Sequence, residues 1–109
     1  MKLSIETINL TNEYSLFAHI EQSVRPALLS LEGQVKSLKV QLEDVNGPTR
    51  GGVDKRCVIV VVPHAGGPMM FEDVHEDVRK VLALTVRHLE RWAGAREQSQ
   101  RGRQQHRLM

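Results

Sequence analysis

The sequence predicts an α+β fold. The expected architecture is a two-layer βαβββα sandwich, with a four-stranded mixed sheet and both helices on one face. Three observations predict it. Two stretches carry apolar residues at helical spacing, Glu13 to about Leu31 and Asp73 to about Arg96. Strand-like stretches of alternating or β-branched residues fill the intervals. Glycine- and proline-rich breaks at Asn46-Gly47-Pro48, Gly51-Gly52 and Ala65-Gly66-Gly67 join the later strands as hairpins.

Lys2 to Ile8 sets Leu3 and Ile5 against Ser4 and Glu6, the pattern of a strand with one buried face. Asn9 to Asn12 breaks it, and Thr11 or Asn12 supplies an N-cap for the first helix. Phe17, Ile20, Val24, Ala27, Leu28 and Leu31 form that helix's apolar stripe. Pro26 lies within it and predicts either a kink near Gln22 or an early end. Gly33 is a natural stop. Val35 to Asp44 alternates again, with Leu38, Val40 and Leu42 opposite Lys39, Gln41 and Glu43.

The most apolar strand runs from Asp54 to Val62 and ends at Pro63; a short last strand follows over Pro68 to Glu72. Asp73 is the expected N-cap of the second helix, with Glu76 in a capping box. Val74, Val78, Val81, Leu82, Thr85, Leu89 and Trp92 make its buried stripe, and Gly94 offers an end. The helix between the first two strands implies a parallel pair with a right-handed crossover. Val58 to Val62 is apolar on both sides, so either Ile59 and Val61 or Val58, Val60 and Val62 face away from the helices.

A chain of 109 residues makes one domain with a modest core. No apolar run is long enough to cross a membrane, and no secretory leader is visible. The lone Cys57 has no partner for an intramolecular disulfide, which suits the cytoplasm. The net charge of +2 is unevenly placed. Residues 96–109 hold four arginines against Glu97, while residues 1–95 hold 11 cations against 12 anions. The expected division is therefore a near-neutral domain over 1–95 and a basic, disordered tail over 96–109.

Two groups of residues point to chemistry. Lys80, Arg87 and Arg91 fall on one face of the second helix, and Arg50, Lys55 and Arg56 lie at the central turn and its exit. Such cations neutralise phosphates and release counterions. Structured RNA is read by shape and backbone, so the few aromatics are no obstacle. The competing reading is a solvated helix face paired with Glu76 and Glu90. The segment from Asn46 to Gly52 is either a plain hairpin turn or a phosphate-cradling loop; it lacks the Gly-Lys-Ser/Thr end of a P-loop. Cys57, His64 and His75 show no metal-ligand spacing, so neither a metal, a cofactor nor an enzyme is expected.

The element order and four stretches resemble the ribosome hibernation-promoting factor family, also called ribosome-associated inhibitor or sigma-54 modulation proteins. The stretches are KLSIETINL from Lys2, LKVQLEDVNG from Leu38, GGVDKRC from Gly51 and EDVHEDVRKVLALTVRHLERW from Glu72. They span nearly all of the chain except the tail. The resemblance is to a short form of the family. It implies the same sandwich, no enzymatic activity, and binding to the small ribosomal subunit and its RNA near the decoding centre. It also implies a cytoplasmic protein that holds ribosomes inactive under stress. The alternative is a protein-interaction module of the same fold that does not bind ribosomes. It would form a homodimer through the open sheet face or an edge strand.

Overall fold

A computed structural model describes residues 1–10, 13–45 and 54–108, with side chains described except at 13–14 and 97–108. Its elements are β1 (Lys2–Ile8), α1 (Glu13–Leu31), β2 (Val35–Asp44), β3 (Lys55–Pro63), β4 (Met69–His75) and α2 (Val78–Leu108). The strands form one sheet in the order β1-β2-β3-β4. β1 runs parallel to β2, with Ile5 opposite Val40. β2 and β3 are antiparallel, with Val40 opposite Ile59, and β3 and β4 are antiparallel, with Ile59 opposite Phe71. The expected βαβββα fold is the one found.

The register settles which face of β3 meets the helices. Cys57, Ile59 and Val61 are buried with Leu38, Val40 and Leu42 against Ile20, Val24 and Leu31 of α1 and Val81, Leu82 and Leu89 of α2. Val58, Val60 and Val62 therefore face outward. Val58 is nonetheless only 8% exposed. It sits in register between Gln41 and Glu72, whose stems can cover it. Val60 and Val62 are half-buried, and Met70 and Val74 on the edge strand are more open.

Several local expectations are corrected. α1 runs through Pro26 without ending, because Val24, Ala27 and Leu31 on either side are locked into the core while Pro26 itself is exposed. Leu16, not Phe17, is the buried residue of its first turns. Gly33 does close the helix: it takes φ +81°, where a side chain is strained, and the Gln34 amide donates to the Leu31 carbonyl. β4 continues to His75, since Arg56 pairs with Val74 and Lys55 with His75. Val74 thus belongs to the outer sheet face and not to the helix stripe.

The cap moves accordingly. Asp77, not Asp73, begins α2: its Oδ1 accepts the amides of Arg79 and Lys80 at 2.9 and 3.1 Å. These backbone bonds, the one from Lys80 foremost, hold the Asp77 carboxyl below its ordinary value of 3.8. Asp73 instead faces α2, with Oδ2 2.8 Å from the Thr85 hydroxyl and Oδ1 3.3 Å from His88 Nε2.

α2 does not stop at Gly94. That glycine is absent from the left-handed region, and the helical backbone continues to Leu108, about 46 Å in all. Arginine and glutamine, frequent beyond Gly94, are good helix formers and outweigh Gly94 and Gly102. Among the described residues, however, the buried core ends at Ala93. Removing residues 97–109 is therefore expected to leave the thermal unfolding midpoint within about 3 °C of the full chain, by circular dichroism. A loss of the cooperative transition would place part of this segment in the core.

Candidate nucleic-acid interface

The described cations singled out by sequence fall into three environments. Lys55 shares the core-side alternation of Cys57, Ile59 and Val61 and turns inward. Its Nζ lies 2.6 Å from Asp54 Oδ1 and 3.5 Å from Asp44 Oδ2, and both carboxylates are buried. The hydrogen bond with Asp54 raises the Lys55 pKa above 10.5, so its charge is fixed and already answered. Among the described residues, Asp44 Oδ1 and Asp54 Oδ2 meet no donor. Lys55 is thus the counter-ion of two buried acids, and its assignment as an RNA contact is weakened.

Arg56 lies on the outer sheet face between two acids. Its Nε donates to Glu72 Oε1 at 2.7 Å, and one terminal nitrogen is 3.8 Å from Glu43 Oε2. On the same face, Lys39 pairs with Glu6 at 3.3 Å. Partly exposed pairs of this kind contribute only about 0–1 kcal/mol each. Their larger consequence is that Glu6, Glu43 and Glu72 repel any polyanion approaching the sheet. Arg50 lies outside the described residues.

The outer face of α2 is different. With Val81, Leu82, Thr85, Val86 and Leu89 buried, helical periodicity sends residues 80, 84, 87 and 91 to the opposite side. Lys80, Arg87 and Arg91 are all exposed. They cover about 16 Å along the axis. Among the described residues none of the three forms an ion pair, so the expected alternative, pairing with Glu76 and Glu90, is not realised. Arg96, further along, is turned back onto the body: its guanidinium lies 5.3 Å from the Trp92 ring and Nε donates to Gln34 Oε1.

Two residues beside this face are not among the cations that the sequence singles out, and His75 is weighed there only as a metal ligand. Leu84 is a large apolar side chain on the solvent line, and His75 sits at its start; both line a shallow depression with Lys80, Ala83 and Arg87. The signal for Leu84 is present in the sequence, since it stands four residues after Lys80 and three before Arg87.

The groups that suggest catalysis do not assemble. Among the described residues no cluster of three metal-ligating side chains occurs. Cys57 is buried, and desolvation pushes its thiol up to about 11, from 9.0. Native protein is expected to react with a thiol reagent at pH 8 at least about tenfold more slowly than the unfolded chain, where the ordinary pKa returns. The raised pKa also has a stability sign. The folded state keeps the proton that the unfolded chain releases near pH 9, so this contribution is whole below pH 9 and declines as pH rises toward 11. Lys55 acts in the same direction above 10.5. Asp77 acts at the other end of the scale: its depressed pKa contributes stability that is present above about 3.8 and is lost as pH falls below it.

Solved structures share this fold, two of them as follows. One is a ribosomal subunit interface protein from Coxiella burnetii, with a TM-score of 0.69 and 11% identity over 89% of this chain and 98% of that one. The other is the N-terminal domain of Protein Y from Thermus thermophilus, with a TM-score of 0.66 and 19% identity over 85% of this chain and 96% of that one. At these identities the likeness is one of fold. No protein-family model matches the sequence. No curated protein matches it significantly. Among the described residues, no helix is long and apolar enough to cross a membrane.

Proposed function

We propose that this chain is a ribosome-associated factor of the hibernation type. It docks on the RNA of the small ribosomal subunit and inhibits translation without chemistry of its own. The observation that carries this reading is the line of Lys80, Arg87 and Arg91 on α2, exposed and free of ion pairs among the described residues. A polyanion meets three cations there that are held in no close ion pair among the described residues, whereas the sheet offers cations already paired with carboxylates. A rigid helix fixes their spacing, so the phosphates they meet must be held in a matching shape, as folded RNA holds them. Arg50 stands as a secondary contact, and the basic segment 96–109 adds diffuse positive charge. The shared fold with a ribosomal subunit interface protein supports the same assignment and a cytoplasmic location. Saturation binding of labelled protein to purified small and large subunits tests it: one site per small subunit is expected, and equal binding to both subunits would contradict it.

A second reading rests on the outer sheet face. Met70, opposite Val60, is 61% exposed, and Val74, opposite Arg56 on the same face, is 48% exposed. A second copy packed on this face would cover them. In that case the chain is a homodimeric interaction module.

A further inference from the structure

Leu84 is a large apolar side chain that the core leaves partly open. It is 37% exposed on the solvent line of α2. The depression beside it, about 240 Å³, has nitrogen-bearing side chains from His75, Lys80 and Arg87 around an apolar floor of Ala83 and Leu84. None of these five residues is acidic. Glu76 and Asp77 adjoin this group in sequence and Glu90 follows Arg87 by three residues; none of them forms an ion pair with Lys80 or Arg87 among the described residues, and Asp77 Oδ1 accepts the Arg79 and Lys80 amides. The His75 ring has a fixed role. The Asp77 amide donates to His75 Nδ1 at 3.0 Å, so Nδ1 carries no hydrogen and the ring hydrogen sits on Nε2. A neutral His75 therefore still presents a donor.

We infer that this depression is a nucleotide subsite. Lys80, Arg87 and His75 Nε2–H hold one phosphate, and the sugar or base edge lies on Ala83 and Leu84. The apolar floor separates this from diffuse charge attraction, because a bare anion makes no use of Leu84. The volume is below the roughly 300 Å³ at which pockets enclose whole small ligands, so the site takes part of one nucleotide and leaves the rest in solvent. The nucleotide is either a residue of an RNA chain or a free one. The first case rests on the ribosome-binding reading above; the second does not.

The test uses the full chain, with the His75 ring and Leu84 methyl resonances followed by NMR during titration with AMP and, separately, inorganic phosphate. AMP is expected to shift both signals saturably, and phosphate to shift His75 alone at about tenfold weaker affinity, the difference being contact with Leu84. Leu84→Ser is expected to bring AMP down to the affinity of phosphate. Arg87→Gln is expected to weaken both ligands about tenfold. AMP binding no better than phosphate, or unchanged in Leu84→Ser, overturns the subsite. Co-sedimentation of Leu84→Ser with small subunits separates the sources. Wild-type AMP binding without ribosome association assigns the site to a free nucleotide and removes the ribosome reading. Undiminished ribosome association of Leu84→Ser together with no AMP binding by the wild type overturns the subsite and leaves that reading intact.

Discussion

Reversing the three charges on the outer face of α2, in Lys80→Glu/Arg87→Glu/Arg91→Glu, is expected to weaken small-subunit binding about 100- to 1,000-fold at 0.1 M salt. Each phosphate neutralised by a cation contributes about 0.7–0.9 to the logarithmic salt slope, so three contacts are worth two to three decades at that ionic strength. Reversal adds repulsion to the loss. Folding should be untouched, since all three side chains are exposed and make no ion pair among the described residues. Surface changes of this sort move stability by about 0.5 kcal/mol or less. Lys55→Gln behaves in the opposite way: it strips two buried carboxylates of their counter-ion and lowers the unfolding midpoint, with little change in the salt slope. Binding by the folded triple variant equal to that of the wild type would remove α2 from the interface.

The second large effect distinguishes two neighbours on β3. Ile59→Ala is expected to cost about 2–5 kcal/mol, because Ile59 is fully buried in the core beneath the helices and the loss leaves a cavity. In a domain of this size that lowers the thermal midpoint by at least about 10 °C. Val60→Lys, one residue on, should cost no more than about 1 kcal/mol. Val60 is half-buried on the outer face, between Lys39 and Met70, where a lysine stem can lie along the sheet with its charge in water. Because strand side chains alternate, a slip of one residue would exchange these outcomes. Solution mass of the same Val60→Lys protein decides the second functional reading. A wild type that is monomeric near 1 mM removes the homodimer, and a wild-type dimer that Val60→Lys converts to a folded monomer establishes it.

Most of the fold was legible because alternation and helical spacing are strong where the core is apolar. Leu38, Val40 and Leu42, or Val81, Leu82 and Leu89, leave little choice. The errors fall where a polar side chain serves the interior. Asp73 looks like a cap, and Val74 happens to lie four residues before Val78. Pairing with Cys57 and Arg56 draws both into β4, and Thr85 and His88 then engage Asp73. Lys55 is a candidate RNA contact by sequence, and the same alternation that buries Cys57, Ile59 and Val61 places it on their side. The buried Asp44 and Asp54 that it neutralises are brought together only by the β2–β3 register. Gly94 is a valid stop signal that nothing enforces, because no left-handed turn follows it.

The site was legible in part. The spacing of Lys80, Arg87 and Arg91 marks one helical face, and the buried stripe then assigns that face to solvent. Arg56 could not be judged from sequence, since Glu72 is 16 residues away and approaches it only across a strand pair. Single-residue spacing carries no information on such cross-strand neutralisation, and it decides which cations remain available to a polyanion.

The central claim is that phosphate contacts from α2 drive association with the small subunit. It is tested most directly by co-sedimentation of the wild-type protein with purified small subunits at about 50 and about 200 mM salt. Three phosphate contacts predict a fall in affinity of about 20- to 40-fold between the two conditions. An affinity that does not change with salt, or no association at the lower concentration, would contradict it.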